Sequence, residues 1–200
     1  KPYSPFTKRS EKIKLYFMDN RFHGSYSIYF MGIKDITIMD LDTLQADIIR
    51  EEGGNVLEPY QDHLGFWTIG VGHLIRDTEK EELMKPITEE RGIELFQVDF
   101  LRAKKDAEFF YKDMDIDDNA KECVIHMSFQ LGLPRLSKFK KFKECLSNKD
   151  YSGAMREMKD SLWYKQTTNR ANRIIAKMQK SITVDVWIGV IMVLGKLLGG

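Results

Sequence analysis

Most of this chain carries apolar residues three or four positions apart, a spacing that places them on one face of a helix. A short helix is predicted to begin at Thr43 and to end at the glycine pair 53–54. Thr88 is a good N-cap for a long helix that we expect to reach about Tyr111. The pattern then stays helical to about residue 180. Breaks within this last region are predicted at residues 132–134 and 147–148.

Two other regions alternate apolar and polar residues, which is the spacing of β-strands. In residues 1–40 the alternation surrounds a turn-like sequence, so we expect an N-terminal extension that contains a β-hairpin. In residues 56–75 it predicts a small twisted sheet with one bulky face and one low face, which carries Thr68 and two glycines. The bulky face should pack against the protein, and the low face should let a ligand approach closely.

The end of the chain has a different pattern. Residues 184–200 are apolar around most of a helical wheel, and their two charges, Asp185 and Lys196, leave too short an apolar run to span a bilayer. We expect an apolar C-terminal helix that docks on the domain or on a partner, such as a virion component or a membrane surface. The predicted organisation is therefore an extension over 1–40, a domain over 41–183 and this helix.

Composition narrows the class of protein without naming a partner. With 31 Lys and Arg against 30 Asp and Glu, the formal net charge is +1, so the charge balance does not indicate nucleic acid. The hydrophobic content of 42% is enough for a packed core. Cys123 and Cys145 lack a metal-binding spacing, and we expect two free thiols rather than a disulfide. We see no secretory signal and no transmembrane run in the sequence.

Residues 49–76 form the most informative stretch. Glu52 lies at the predicted end of the first helix, Asp62 follows in a turn, and Thr68 lies on a glycine-rich strand. Two carboxylates in different surroundings are the minimum for hydrolysis of a glycosidic bond, because one acts as an acid while the other handles water. The helix dipole disfavours a charged carboxylate at this helix end, which should help Glu52 to keep the proton that a general acid needs.

A pair of acidic residues means little alone in a chain that has 30 of them, so the surrounding motifs matter. Residues 60–74 read YQDHLGFWTIGVGHL, a long and specific string that follows Glu-Gly at a helix end. Downstream, residues 128–132 read SFQLG and residues 161–173 read SLWYKQTTNRANR. Over about residues 43–180, these motifs resemble the phage-type lysozymes of glycoside hydrolase family 24.

The resemblance implies roles for particular residues. Glu52 is similar to the family's proton donor, Asp62 to the carboxylate that flanks the attacking water, and Thr68 to the hydroxyl that holds this water. The residues that resemble walls of the saccharide cleft are Leu74 and Phe129. Arg170 resembles the arginine that pairs with the catalytic glutamate and orients it. Without the resemblance, a capping or surface ion pair would be the preferred interpretation of Arg170.

The resemblance also implies a fold and an activity. The fold is lysozyme-like α+β, with a small β-containing lobe, a larger helical lobe and a long helix that joins them. The activity is that of an N-acetylmuramidase, which hydrolyses the β-1,4 bond between N-acetylmuramic acid and N-acetylglucosamine in bacterial peptidoglycan without a cofactor or metal. We expect a monomeric, phage-encoded enzyme. It would be an endolysin, made in the host cytoplasm and acting in the periplasm or cell wall, or it would be carried by the virion.

The chain departs from the family pattern in ways that leave alternatives open. One extra residue between Glu52 and Tyr60 makes Glu51 the alternative acid, although the helix phase favours Glu52. A serine and an asparagine of the family's cleft are replaced near Phe142 and Glu157, which should alter the subsites. A lytic transglycosylase needs an acid but no positioned water, and the water-positioning pair argues against it. A membrane-active or particle-structural protein with a lysozyme fold is the other alternative.

Two further patterns have structural interpretations. His73 has no second metal ligand at a useful spacing, so a metal site is disfavoured, and the resemblance implies Asp99 as its ion-pair partner. Four lysines within 138–143 alternate with two phenylalanines. We interpret this segment as an amphipathic helix with lysines reaching to solvent, in preference to a site for an anionic polymer.

Overall fold

The computed structural model describes residues 39–62 and 64–182, and it has the predicted α+β architecture. A three-stranded antiparallel sheet, in the order β1-β2-β3, belongs to a small lobe, and helices form the larger lobe. The predicted hairpin in residues 1–40 and the predicted helix in residues 184–200 lie outside the described residues. The elements are α1 (Leu41–Glu51), β1 (Val56–Gln61), β2 (Trp67–Gly70), β3 (His73–Leu74), α2 (Lys80–Leu83), α3 (Glu89–Tyr111), α4 (Asp118–Leu136), α5 (Lys140–Ser147), α6 (Tyr151–Lys159), α7 (Leu162–Gln166) and α8 (residues 168–182).

Helix α1 begins earlier than predicted, because Asp40 rather than Thr43 provides its N-terminal boundary. The Asp40 carboxylate accepts a hydrogen bond from the Asp42 amide at 3.1 Å and one from the Thr43 hydroxyl at 2.7 Å. Thr43 is therefore a partner of the cap and not the cap itself. The other end is as predicted, since the amide of Gly54 closes the helix on the carbonyl of Ile49 at 2.9 Å.

In the sheet, the predicted alternation of buried and exposed residues continues across a turn between two strands. The chain reverses at residues 71–72, so the region from 66 to 75 contains two antiparallel strands, β2 and β3. Ile69 lies opposite His73, and because directly paired residues share a face, both are buried as the alternation predicted. Trp67 is the exception on this face, with 38% of its surface exposed.

Helix α3 joins the two lobes and follows its prediction closely. The Thr88 hydroxyl accepts a hydrogen bond from the Arg91 amide at 3.2 Å, which starts the helix where the sequence indicated. Near this end its backbone at Gly92 lies against Gly70 of the sheet. Further along, Phe100 and other apolar residues of α3 are buried in the core of the larger lobe. The buried aromatic residues of α3 are Phe96, Phe100, Phe110 and Tyr111.

The helical lobe contains the predicted breaks and free thiols. Gly132 interrupts α4 with a left-handed φ of 68°, two residues before Pro134. In α5 the apolar residues Phe142 and Leu146 are buried while the lysines are exposed, which supports the interpretation as an amphipathic helix. The two cysteines form no disulfide, as predicted. In the described ranges no helix combines the length and apolarity needed to cross a membrane.

Both ends of the described domain meet at the start of α4. The amide of Met39 donates to the Asp118 carboxylate at 3.0 Å. The Ser181 hydroxyl donates to the carboxylate of Asp117 at 2.8 Å, and this same carboxylate caps α4 through the Ala120 amide. The N-terminal and C-terminal boundaries of the described domain therefore lie side by side, at the end of α1 away from Glu52.

A buried ion pair connects the sheet to α3, as the resemblance implied. His73 Nδ1 lies 2.7 Å from Asp99 Oδ2, and both side chains are more than nine-tenths buried. On its other side, His73 Nε2 is 3.4 Å from the Glu79 carboxylate. The hydrogen bond to Asp99 raises the pKa of His73 above 6.5, against the effect of burial, and the charges of Asp99 and Glu79 add to the rise.

This pair should make the free energy of unfolding depend on pH. Because the folded pKa of His73 is raised, its contribution is complete below about pH 6.5 and is lost as the pH rises through the folded value. Each unit of the rise is worth about 1.4 kcal/mol. Urea unfolding at about pH 6 and about pH 9 measures the decrease in the free energy of unfolding between the two pH values. This decrease should be smaller in Asp99→Asn. An unchanged pH dependence in Asp99→Asn would contradict this expectation.

Candidate active site

One row of side chains crosses the three strands of the sheet. Tyr60 of β1 pairs with Thr68 of β2, and Thr68 pairs with Leu74 of β3. Directly paired residues point to the same face, so these three side chains form a continuous row. Thr68 at its centre is buried, whereas Leu74 is half exposed. Glu52 and Asp62 lie in the segments that enter and leave β1.

Glu52 is fixed by contacts from three directions. Its amide donates to the Ile48 carbonyl at the end of α1. Its carboxylate Oε1 accepts a hydrogen bond from Arg170 Nη1 at 2.6 Å, in a pair whose side chains are 19% and 10% exposed. Its Oε2 lies against Gly72, where an added Cβ would be 3.0 Å away. The carboxylate therefore has little freedom to turn.

The two glycines of the low face have a different use from the one predicted. We expected them to let a ligand approach the sheet. Instead, Gly72 makes room for the Glu52 carboxylate, and a Cβ added at Gly70 would lie 3.5 Å from the backbone of Gly92 on α3. The low face is thus filled by the protein at both positions, and the glycines position the acidic residue and the long helix.

Asp62 is held by the backbone of its own turn. Its Oδ1 accepts hydrogen bonds from the amides of Leu64 at 2.9 Å and Phe66 at 2.8 Å. The turn is closed by a bond from the Gly65 amide to the Asp62 carbonyl at 2.9 Å. Asp62 Oδ2 makes no hydrogen bond to a residue in the described ranges. The hydrogen bonds to one oxygen of this carboxylate thus fix its orientation.

The hydroxyl of Thr68 donates to the carbonyl of Phe66 at 3.1 Å. Its proton is therefore engaged, and its lone pairs remain as acceptors for a water molecule. Phe66 connects the two residues, because its amide binds Asp62 and its carbonyl binds Thr68.

Tyr60 is a site residue that the sequence interpretation quoted in a motif but gave no role. Burial raises its pKa above the usual value, and the charges of Glu52 and Asp62 raise it further. The negative charges of both carboxylates therefore act on the Tyr60 hydroxyl. Its position opposite Thr68 and two residues before Asp62 was the signal that could have identified it.

The environments of Glu51 and Glu52 differ. The Glu51 side chain is only 4% exposed and makes two hydrogen bonds to Arg173, one of them from Nε to Oε1 at 2.6 Å. These bonds lower the pKa of Glu51, against the effect of burial. Both oxygens of Glu51 are therefore engaged by an arginine, whereas Arg170 binds a single oxygen of Glu52. Glu51 thus has the character of a structural anion.

A groove of about 750 Å³ runs from the turn after Asp62 over the helical lobe. It begins at Leu64, and Phe142 and Glu157 lie along it, so the two positions at which a family cleft residue is replaced line the same groove. The cations that line it are Arg135, Lys138, Lys140 and Lys141. Leu74 lies in a smaller hollow with Trp67, and Phe129 is half-buried against Phe96 with ring centroids 5.8 Å apart.

Comparison with known proteins identifies the family. Residues 50–180 match the family model described as phage lysozyme. The chain belongs to the phage lysozyme family. It is therefore a glycosidase of the lysozyme type, and the substrate of this type is peptidoglycan.

Three relatives each match about two thirds of this chain. Probable T4-type lysozymes 2 and 1 of Dictyostelium discoideum are 32% and 31% identical, with alignments that cover 65% and 66% of this chain and 90% and 92% of the relatives. The pre-baseplate central spike protein Gp5 of Enterobacteria phage T4 is 26% identical over 64% of this chain. Only 26% of that spike protein is covered, so the similarity concerns one part of a longer chain.

The contact between Gly72 and Glu52 predicts a selective loss of activity. Gly72→Ala would strain a residue at φ +69° and push a methyl group against the Glu52 carboxylate. We expect activity to fall on the order of tenfold to a hundredfold, because small displacements of a catalytic group are this costly. Peptidoglycan clearing measures the loss of activity, and thermal unfolding measures the loss of stability from the backbone strain.

Gly132→Ala, in the helical lobe, is the matched control for this variant. Gly132 has a similar φ of +68°, but an added Cβ would meet only the Pro134 ring, at an ordinary contact distance of 3.7 Å. Both variants should lose about 1–3 kcal/mol of stability from backbone strain, but only Gly72→Ala should lose activity beyond this. Equal activity in the two variants would show that Gly72 does not position Glu52.

Proposed function

We propose that the enzyme cleaves the β-1,4 bond between N-acetylmuramic acid and N-acetylglucosamine by a single displacement with inversion at the anomeric carbon. One observation carries the proposal: the Glu52 carboxylate packs against Gly72 between β2 and β3 and Asp62 directly follows β1, so two carboxylates in different surroundings flank one row of side chains. One of them is bound to an arginine and the other to backbone amides. Such a pair can divide the roles of acid and water activator.

In this proposal Glu52 protonates the leaving glycosidic oxygen. Arg170 and Gly72 confine its carboxylate, which favours a fixed direction of proton transfer. The neighbouring Glu51 is the weaker candidate, since Arg173 binds both of its oxygens, whereas Arg170 binds one oxygen of Glu52 and the other lies against Gly72 between β2 and β3. The helix phase and the contacts of the two residues thus favour the same acid.

Asp62 and Thr68 hold the attacking water. A water molecule can donate one hydrogen to Asp62 Oδ2 and the other to the lone pair of Thr68, whose own proton is engaged by Phe66. Both hydrogens are then bound, and a lone pair of the water oxygen is free to attack the anomeric carbon. As the water oxygen bonds to the anomeric carbon, Asp62 accepts one proton of the water. At the same time Glu52 gives its proton to the glycosidic oxygen of the departing sugar.

The substrate contacts belong to the same proposal. Leu74, exposed at the end of the row, and Phe129, packed on α3, are proposed to contact saccharide rings. The groove beside Asp62 would extend these contacts over the helical lobe. Because Phe142 is buried there and Glu157 adds a carboxylate, we expect subsite preferences that differ from those of relatives with serine and asparagine.

The products of the reaction test this mechanism. Hydrolysis by inversion gives reducing ends whose initial anomeric configuration is opposite to that of the bond cleaved. We expect mass spectrometry of digested peptidoglycan to find no anhydro-muramic ends, and NMR at early times to find the inverted anomer. Anhydro ends would indicate a lytic transglycosylase. Initial retention would require a covalent intermediate on Asp62 in place of an activated water.

We also propose a setting for the reaction, which is the opening of bacterial walls by a phage-encoded enzyme. The similarity to the spike protein Gp5 supports a virion-borne role at entry, and a free endolysin at lysis is the alternative. Purified protein added to intact cells separates the two roles, because an entry enzyme must reach the wall from outside. Activity on isolated peptidoglycan alone would favour the endolysin.

A further inference from the structure

The groove over the helical lobe is lined by four cations from one corner of the fold. Arg135 lies in the last turn of α4, Lys138 in the turn that follows, and Lys140 and Lys141 in the first turn of α5. We call these four residues the groove cations. All four are exposed, and none of them forms an ion pair with another residue in the described ranges. A chain with a formal net charge of only +1 thus concentrates four unpaired positive charges in one groove.

Two carboxylates line the same groove from a different element. Glu157 lies on α6, and Asp160 follows the last residue of this helix. We call these two residues the groove acids. Oppositely charged side chains attract each other, yet among the described residues no groove cation pairs with a groove acid. The positive and negative side chains therefore lie on separate parts of the groove, with space between them for a ligand.

The beginning of α5 adds to the positive side of the groove. No side chain caps this end of the helix, and its first turn contains no acidic residue. The free amides at a helix N-terminus carry a partial positive charge that favours nearby anions. Phe139, at the N-cap position, lines the groove together with the first turn of α5. The helix end thus strengthens the attraction of the groove cations for an anion.

Apolar side chains separate these charges from one another. Leu131, Phe142 and Trp163 line the groove, and the indole N–H of Trp163 is engaged by Gln130 Oε1 at 2.6 Å. A ligand that fits must therefore combine carboxylates, a positive group and small apolar parts. A short peptide has this combination of groups.

The position of the groove indicates which peptide this is. The groove begins at Leu64, whose amide binds the Asp62 carboxylate. Its ligand is therefore attached to the sugar chain that reaches the two catalytic carboxylates. In peptidoglycan the lactyl group of N-acetylmuramic acid carries a peptide stem. This stem has several carboxylates, alanine methyl groups and, where it is not cross-linked, a free amine.

We propose that the groove cations are specificity-determining residues that bind the carboxylates of the peptide stem, with the groove acids placed for its amine. The inference rests on the proposed function, because it needs the glycan chain to lie at Glu52 and Asp62. It assigns a role to residues outside the motifs that identified the family. The enzyme then selects glycan that carries peptides over glycan from which the peptides have been removed.

Removal of three of the positive charges tests this selection. Each exposed charge pair is worth about a twofold to fivefold change in affinity, so the triple variant Lys138→Gln, Lys140→Gln, Lys141→Gln should raise KM for soluble, peptide-bearing glycan strands roughly tenfold to a hundredfold. We expect kcat to stay nearly unchanged, because these side chains do not touch the reacting bond. On strands stripped of peptides by an amidase, the triple variant and the wild-type enzyme should have the same KM.

Lys143→Gln is the matched control, and a change to arginine tests for rescue. Lys143 lies on the same helix, but its Nζ is 5.1 Å from the centroid of the Phe110 ring and does not line the groove. We expect Lys143→Gln to leave KM unchanged, and the three arginine substitutions at 138, 140 and 141 to keep the affinity of the wild-type enzyme. A triple glutamine variant with unchanged KM on peptide-bearing strands, or with equal losses on both kinds of strand, overturns the proposal.

The dependence of KM on salt provides an independent measurement. Mobile ions screen exposed charges over about 10 Å at 0.1 M salt, so KM of the wild-type enzyme for peptide-bearing strands should rise with ionic strength. KM of the triple glutamine variant, and of either enzyme on stripped strands, should depend on salt much less. Equal salt dependence in the wild-type enzyme and the triple variant contradicts a contact between the groove cations and the stem.

Binding without catalysis separates this proposal from the proposed function. The Glu52→Gln variant should bind insoluble peptidoglycan that carries its peptides more tightly than amidase-treated peptidoglycan, and the three glutamine substitutions should abolish this difference. If the reaction products contain anhydro-muramic ends while the binding difference is found, the proposed reaction fails and the role of the groove cations stands. If the products are inverted as proposed but Glu52→Gln binds both materials equally, the role of the groove cations alone is overturned.

Discussion

Replacement of Glu52 by glutamine is expected to abolish the clearing of purified peptidoglycan while the protein remains folded. Glutamine keeps the shape of the side chain, and its oxygen can still accept the hydrogen bond from Arg170 that glutamate accepts at 2.6 Å. It cannot donate the catalytic proton. Because general acid catalysis is worth about two to four orders of magnitude, activity should fall by this amount. Circular dichroism and thermal unfolding establish that the fold persists.

The adjacent glutamate is the matched control. Glu51→Gln changes the same functional group one residue away, at a side chain bound to Arg173 rather than Arg170. We expect it to lower thermal stability slightly, because the pair with the half-exposed Arg173 loses one charge, and to leave most of the activity. If Glu51→Gln is the inactive variant and Glu52→Gln clears peptidoglycan, the register of the acid is wrong by one residue.

Asp62→Asn should cause the second large loss. Asparagine Oδ1 can still accept from the amides of Leu64 and Phe66, so the turn should persist. The group that remains cannot take a proton from water, and we expect activity to fall by about two to four orders of magnitude. Peptidoglycan clearing measures the loss, and an unchanged unfolding temperature shows that the turn survives.

Thr68 provides two variants that separate water binding from packing. Thr68→Val keeps the volume of this buried side chain but removes the acceptor, whereas Thr68→Ser keeps the hydroxyl. We expect the valine variant to be slow and the serine variant to retain activity.

The Asp62→Asn variant also has an outcome that would contradict the proposed role. If it keeps more than about a tenth of the activity, a base worth two orders of magnitude or more is excluded at position 62.

The parts of the fold that depend on local sequence could be predicted. Thr88 caps α3, and Gly54 closes α1, because each acts through residues a few positions away. The phase of α1 was enough to favour Glu52 over Glu51 at the helix end. The start of this helix was predicted wrongly, since Asp40 and Thr43 are both good capping residues and only their mutual bond decides which one caps.

The parts that depend on long-range contacts could not be predicted in the same way. Gly72 looks like any glycine of a low sheet face until Glu52 is seen to fill the space above it. His126 looks like a polar residue in a helix, and its unpaired burial depends on α1 and α8, which flank it from distant parts of the chain. No local pattern contains such information, because the partners are separated by tens of residues.

The meeting of Met39 and Ser181 at the start of α4 gives the domain the geometry of a cassette. Entry and exit share one corner, and α1, with 11 residues, separates this corner from Glu52 by roughly 16 Å. A host protein could therefore accept the domain as an insertion in a surface loop, with little strain and without obstructing the catalytic residues. The same corner could be closed by a short linker to make a circular permutant. A lysozyme domain with this geometry can be inserted as a unit into different host proteins, with its catalytic residues distant from the point of attachment.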